Sequence, residues 1–165
     1  ANLEKDVREY SKLTDEDQAV FYTLYRIRKN PNLIYKGVDY GGAKDFVNSL
    51  NSEITDDMRA IINNDLFEFY LKVNGYEPAL IDQARRIIKM NNNSPDFVPR
   101  MLYYLFNREK QYEINGKTIT TIDEFINEVV NMELTDIEKI TDDTRLMAWL
   151  YSIGYKDDVL KFFEL

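Results

Sequence analysis

Displaced against itself by 79 residues, the chain aligns Tyr25 to Ile81 with Tyr104 to Leu160 without a gap. Nine positions are identical, among them the pairs Tyr25/Tyr104, Gly37/Gly116, Phe46/Phe125, Leu71/Leu150, Gly75/Gly154 and Tyr76/Tyr155. Conservative pairs lie between them, such as Asp45/Glu124, Val47/Ile126, Phe67/Leu146 and Tyr70/Trp149. Both glycines that recur fall where a backbone turn is expected, a position at which few other residues serve. An internal repeat of this kind restricts the chain to a small module made twice, so each copy must find its core within about 80 residues. Around Ile54-Thr55-Asp56 and Leu134-Thr135-Asp136 a displacement of 80 fits better, which places a one-residue difference in the loop there.

Each copy carries the same succession of signals. A first helix is expected to start at Thr14 with Asp17 as its third residue in copy one, and at Ser94 with Pro95 as its first residue in copy two. Apolar residues then recur at helical spacing: Val20, Phe21, Leu24 and Ile27, or Val98, Met101, Leu102 and Leu105. A hairpin follows. Tyr112 to Ile119 alternates around Asn115-Gly116, a pair that tolerates positive φ, and Leu33 to Tyr40 turns around Lys36-Gly37. A two-stranded ribbon is barely stable alone, so each must lie against helices.

A second helix opens at Thr121 with Glu124 three residues on, and at Gly42 in copy one. Its expected core stripe is Phe46, Val47 and Leu50, matched by Phe125, Ile126, Val129 and Val130. A short third helix is expected from a box at Thr135 and Glu138, with Thr55 and Met58 as counterpart. The fourth runs from about Asn64 to Asn74 and from about Asp143 to Ile153, stopped by Gly75 and Gly154. A last helix starts at Pro78 or Asp157. The fold class is therefore mainly α with small β-hairpins, in two tandem helix, hairpin and three-helix modules packed together. Residues 1–90 form the first and residues 91–165 the second, joined by the short polar link Met90 to Pro95.

Composition removes much chemistry. The chain has neither Cys nor His, so thiol nucleophiles, imidazole shuttles, Ser-His-Asp triads and structural zinc sites are excluded. No apolar run approaches the roughly 18 residues of a membrane span, and the charged opening segment is unlike a signal peptide. The expectation is a cytoplasmic protein, part of a longer parent, for the chain opens on Ala and stops within an amphipathic pattern. Asn92-Asn93-Ser94 has the form of a glycosylation sequon but reads as linker. Charge is unequally shared: residues 1–90 hold 13 basic and 15 acidic side chains, residues 91–165 hold 8 and 14. A net-negative chain lacks the cations that phosphate neutralisation needs, so nucleic acid is not an expected partner.

Motif by motif, no catalytic, cofactor-binding or metal-ligating residue is assigned. Gly37 to Lys44 resembles a phosphate loop only superficially, since Ala43 stands where the lysine belongs. The acidic runs Asp15-Glu16-Asp17, Asp56-Asp57, Asp142-Asp143 and Asp157-Asp158 sit at expected helix starts, where carboxylates complement exposed N–H groups. Arg26, Arg28, Lys29 and Lys36 form a basic cluster with Tyr22 and Tyr25 nearby, but copy two does not keep it. Trp149 is expected in a core. With twelve tyrosines in the chain, Tyr35, Tyr40, Tyr112 and Tyr155, all near turns, are the candidate partner-binding residues. The expected function is a non-catalytic protein-interaction or scaffold module, monomeric or weakly dimeric, with another protein as partner and no cofactor. Two alternatives are an acidic, nucleic-acid-mimicking inhibitor of a DNA- or RNA-handling protein and a Mg²⁺-dependent carboxylate hydrolase.

Overall fold

Local chemistry at the turns fixes the frame. Lys36 and Gly37 have φ of 48° and 79°, Asn115 and Gly116 have 52° and 73°, so both hairpins close through two left-handed residues. That is the two-residue turn whose twist matches paired strands. Strands β1 (Ile34–Tyr35) and β2 (Val38–Asp39) pair antiparallel with Tyr35 opposite Val38. Strands β3 (Tyr112–Ile114) and β4 (Lys117–Ile119) do the same with Ile114 opposite Lys117. Lys36 holds, at some steric cost, a conformation that Asn115 tolerates better.

The computed structural model describes residues 8–28, 32–90 and 94–164, with the backbone alone for residues 22–28 and 162–164. Lys29, most of the link at residues 91–93 and the side chains of Tyr22, Leu24, Tyr25, Arg26, Ile27 and Arg28 therefore lie outside the described residues. The chain divides into two units, Ala1–Lys89 and Met90–Leu165. After a helical turn at residues 8–11, unit one contains α1 (Asp15–Arg28), β1, β2, α2 (Ala43–Ser49), α3 (Asp56–Ile62), α4 (Asp65–Val73) and α5 (Pro78–Ile88). Unit two contains α6 (Phe97–Phe106), β3, β4, α7 (Ile122–Val129), α8 (Leu134–Thr141), α9 (Thr144–Ser152) and α10 (Lys156–Glu164). The protein is mainly helical, and the helix, hairpin and helices pattern occurs twice.

The best-kept part of the repeat is a helix end. At the close of α4 the Tyr76 amide donates to the Leu71 carbonyl (3.2 Å) and the Gly75 amide to that of Lys72 (3.0 Å). At the close of α9 the Tyr155 amide donates to Leu150 (3.0 Å) and that of Gly154 to Tyr151 (3.3 Å). Gly75 and Gly154 have φ of 85° and 111°. This pair of bonds, with its left-handed residue, satisfies carbonyls that a helix otherwise leaves open. The recurring Leu-x-x-x-Gly-Tyr is the covalent requirement of that motif. Leucine and tyrosine are its third-from-last and first-beyond-glycine positions, where an apolar contact commonly closes the turn.

Two helix starts differ from those expected. The α6 helix begins at Phe97 rather than Pro95, with the Phe97 amide donating to the Ser94 carbonyl in a preceding turn (3.3 Å). Pro99 explains the delay: in a helix begun at Pro95 it would fall beyond the first turn, where its missing N–H breaks a hydrogen bond. Starting at Phe97 keeps it among the amides that have no intrahelical acceptor. The α8 helix is capped by Glu133, whose carbonyl accepts from Asp136 (3.0 Å) and Ile137 (3.1 Å), so Thr135 already lies inside the first turn. The caps at Thr14, Thr55 and Thr121 form as expected, each hydroxyl accepting the amide three residues on at 3.2 to 3.3 Å.

Each unit has its own aromatic centre. In unit one Phe46 lies against Tyr40, Phe67 and Tyr70, with ring centroids 5.6, 5.7 and 6.4 Å away. The Tyr70 hydroxyl donates to the Gly41 carbonyl, satisfying a polar tip that burial would otherwise penalise. In unit two the fully buried Trp149, the repeat partner of Tyr70, stacks on Tyr112 at 5.4 Å and meets Phe125 at 5.8 Å. Its indole N–H donates to the Lys110 carbonyl at 2.7 Å. Of the apolar face expected on α1, Phe21 lies 6.3 Å from Phe69, whereas Val20 is exposed.

Candidate functional site

Among the described residues no ring contact joins Tyr35 to Tyr40 within unit one, or Tyr112 to Tyr155 within unit two. Tyr35 is half-buried on β1 beneath the Lys36 ammonium, 5.5 Å from its ring centre. Tyr40 is half-buried and edge-on to Phe46. Tyr155 is half-buried at the α9 end, where its amide completes the glycine turn. Tyr112 is 6% exposed and lies within the core of unit two, stacked on Trp149. Its ring is a packing group.

Burial also sets the titration of the core tyrosines. It pushes the Tyr112 hydroxyl up to about 12, with a smaller push from Asp143, and it raises Tyr104 and Tyr70 as well. An unfolded tyrosine ionises near pH 10. Below that both states are protonated and the full stability is present; above it the unfolded state loses protons first, and stability falls as pH rises toward the folded values. The urea midpoint is therefore expected to hold up to about pH 10 and to decline above it. Tyrosinate absorbance should then show a cooperative step coincident with loss of helical circular dichroism. Smooth ionisation of all tyrosines with the helix signal intact would contradict this burial pattern.

The glycine loop before α2 is already occupied by its own carboxylates. Asp39 accepts the Gly41 amide at 2.8 Å and Asp45 accepts the Gly42 amide at 3.1 Å. Amides engaged by acids offer nothing to a phosphate. The acidic runs act at helix starts: Asp143 accepts the Arg145 amide at 2.8 Å as the cap of α9, and Asp15, Asp56 and Asp157 lie in first turns. Among the described residues no three or more acidic side chains are grouped so as to hold a metal ion. No helix among them is long and apolar enough to cross a membrane.

Unit one has a cavity of about 400 Å³ lined by residues that include Tyr10, Gln18, Lys72, Tyr76, Asp82 and Arg85. Three of its four charged lining residues are paired or stacked, Asp15 being the fourth. Arg85 binds Glu68 and Asp82, and Lys72 lies over the Tyr10 ring at 5.5 Å.

Unit two presents the stronger feature. Ile126 is 49% exposed, Val130 69% and Leu134 71%. Ile126 and Val130 are four residues apart and so neighbours on one helical face; Leu134 follows four residues later at the first position of α8. Two of the three corresponding positions in unit one are closed: Val47 is 1% exposed, and Ile54, which matches Leu134 at the displacement of 80, is 7% exposed, while Asn51, opposite Val130, is half-buried. The expected core stripe of the second helix thus holds in unit one and fails in unit two, where neither α7 nor α8 has a fully buried residue. On a helical wheel the apolar residues Phe125, Val129, Ile122, Ile126 and Val130 cover an arc of about 140°, wider than one core contact fills. Phe125 and Val129 take the inner edge of that arc, half-buried, and Ile126 and Val130 its outer edge. Unit one has the polar Asn51 where unit two has Val130, and that exchange was the available signal in the sequence.

Acids surround this face. Residues 120–143 carry eight acidic side chains and one basic, a net charge of −7. Glu128 is held below the usual carboxylate range by Lys117 (2.8 Å) and Asn115, which ties α7 to the hairpin. Glu124 is lowered by the hydroxyl of Thr121 and the amide of Thr120. The one base, Lys139, lies 3.8 Å from Asp136. Comparison with protein-family models, curated proteins and solved structures finds no match to this chain.

Proposed function

We propose that the chain is a non-catalytic protein-interaction or scaffold module, working in the cytoplasm as part of a larger protein and as a monomer or weak dimer. The observation that carries this reading is the exposure of Ile126, Val130 and Leu134 in unit two, where the unit-one counterparts of Ile126 and Leu134, Val47 and Ile54, are buried. A contiguous exposed apolar patch rimmed by polar residues is the ordinary mark of a protein-docking surface. The half-buried Tyr155 and the two hairpin-flanking tyrosines Tyr35 and Tyr40 remain secondary contact candidates.

A photo-crosslinking side chain at position 130, introduced in the native host, is expected to give a discrete adduct with another protein. The same group at the exposed Lys156 should give none. Equal patterns at both positions, or no adduct from position 130, would overturn the reading.

A second reading, the acidic mimic of nucleic acid, is favoured by the net charge of −7 over residues 120–143. It predicts a partner whose binding survives Ile126→Asp and is lost in high salt. The module reading predicts the reverse sensitivity to Ile126.

A further inference from the structure

The open face of unit two combines two properties that select one kind of occupant. Its centre is aliphatic, with Ile126 in the last turns of α7, Val130 at the cap that closes it and Leu134 at the start of α8. Its surroundings are anionic: Asp123, Glu133 and Glu138 are exposed and have no ion-pair partner among the described residues, and the one cation of α7 and α8, Lys139, lies beside Asp136. The α7 helix is eight residues long, about 12 Å, which equals the reach of a guest helix presenting apolar side chains at positions one, four or five, and eight.

We infer that this face docks a cationic amphipathic helix of a partner protein, with the guest's aliphatic stripe on Ile126, Val130 and Leu134 and its lysines or arginines toward Asp123, Glu133 and Glu138. A second copy is disfavoured as occupant, because two such faces would set the exposed Asp123, Glu133 and Glu138 of each copy against one another. An acidic or neutral guest would leave the carboxylates uncompensated. The flanking charges speed encounter and set orientation, while the aliphatic centre sets residence time. The inference rests on the docking reading above and adds the chemistry of the partner.

The test uses the full chain and three labelled synthetic peptides: a lysine–leucine amphipathic helix, its scrambled isomer, and the same helix with every Lys replaced by Glu. Fluorescence anisotropy is expected to show saturable binding of the first alone. Ile126→Asp and Val130→Asp should each weaken it by about tenfold or more, and Val20→Asp, an exposed apolar site in unit one, should leave it unchanged. All three residues are exposed, and circular dichroism checks that the variants fold. Raising salt from about 0.1 M to about 1 M, which shortens the screening length from about 10 to about 3 Å, should weaken binding further.

If the glutamate helix binds as well as the lysine helix and Ile126→Asp abolishes both, the partner chemistry is wrong and the docking surface stands. If the scrambled peptide binds equally and Ile126→Asp has no effect, the inference fails and adhesion by charge alone replaces it. If no peptide binds, both the inference and the docking reading lose their support. If sedimentation finds a dimer that Ile126→Asp splits, the occupant is a second copy and the inference is overturned.

Discussion

Trp149→Ala is expected to unfold unit two or bring it to the edge of unfolding. The side chain is fully buried, stacked on Tyr112 and in contact with Phe125, so truncation should cost about 3–5 kcal/mol for the cavity and lost transfer energy. The Lys110 carbonyl would also lose the indole N–H that it accepts at 2.7 Å, adding about 1 kcal/mol. A unit of this size has roughly 4–11 kcal/mol in total. Trp149→Phe separates the two contributions, since it keeps a ring and removes the donor, and its cost should be about 1–2 kcal/mol. Urea titrations followed by far-ultraviolet circular dichroism measure both, because Trp149 is the only tryptophan and its fluorescence goes with it. A loss of under about 1 kcal/mol for the alanine variant would mean that the indole is not the centre of this core.

The parts of the fold that the sequence made legible are those fixed by backbone chemistry within a few residues. Asn115-Gly116 announces a two-residue turn because only certain residues accept positive φ, and Gly75 and Gly154 announce helix ends for the same reason. The Thr14, Thr55 and Thr121 caps need only a hydroxyl at the right step. The misplaced starts of α6 and α8 show where local signals compete. Pro95 and Pro99 cannot both be early in one helix, and Thr135 loses to the extended backbone of Glu133. Burial is a different matter. Val47 and Ile126 occupy the same repeat position with equally apolar side chains, yet one is closed over and the other open. Periodicity reports that a face is apolar; it carries no information on what covers it. Tyr112 was equally opaque, because a tyrosine on a short strand reads alike whether it caps a core or faces a partner, and its stack on Trp149 is a tertiary fact.

That asymmetry between the units can be measured on a single pair of residues. Phe46 and Phe125 are identical in type and equivalent in the repeat, but Phe46 is fully buried among three aromatic rings and Phe125 is half-buried beside two. Phe46→Ala is therefore expected to cost about 3–5 kcal/mol, the range for a well-packed aromatic, and Phe125→Ala about 1–2 kcal/mol, scaled by the area it has to lose. Denaturant titration of the two variants under one set of conditions, followed by far-ultraviolet circular dichroism, gives the comparison, with Trp149 emission isolating unit two for Phe125→Ala. The outcome reaches past stability. Should Phe125→Ala prove as costly as Phe46→Ala, the second helix of unit two would have to be covered in solution as fully as its counterpart. Ile126 and Val130, on the outer edge of the same arc, would then have less open surface to offer a partner. A clear difference between the two variants leaves that edge uncovered in the free protein, as the docking of a guest helix requires.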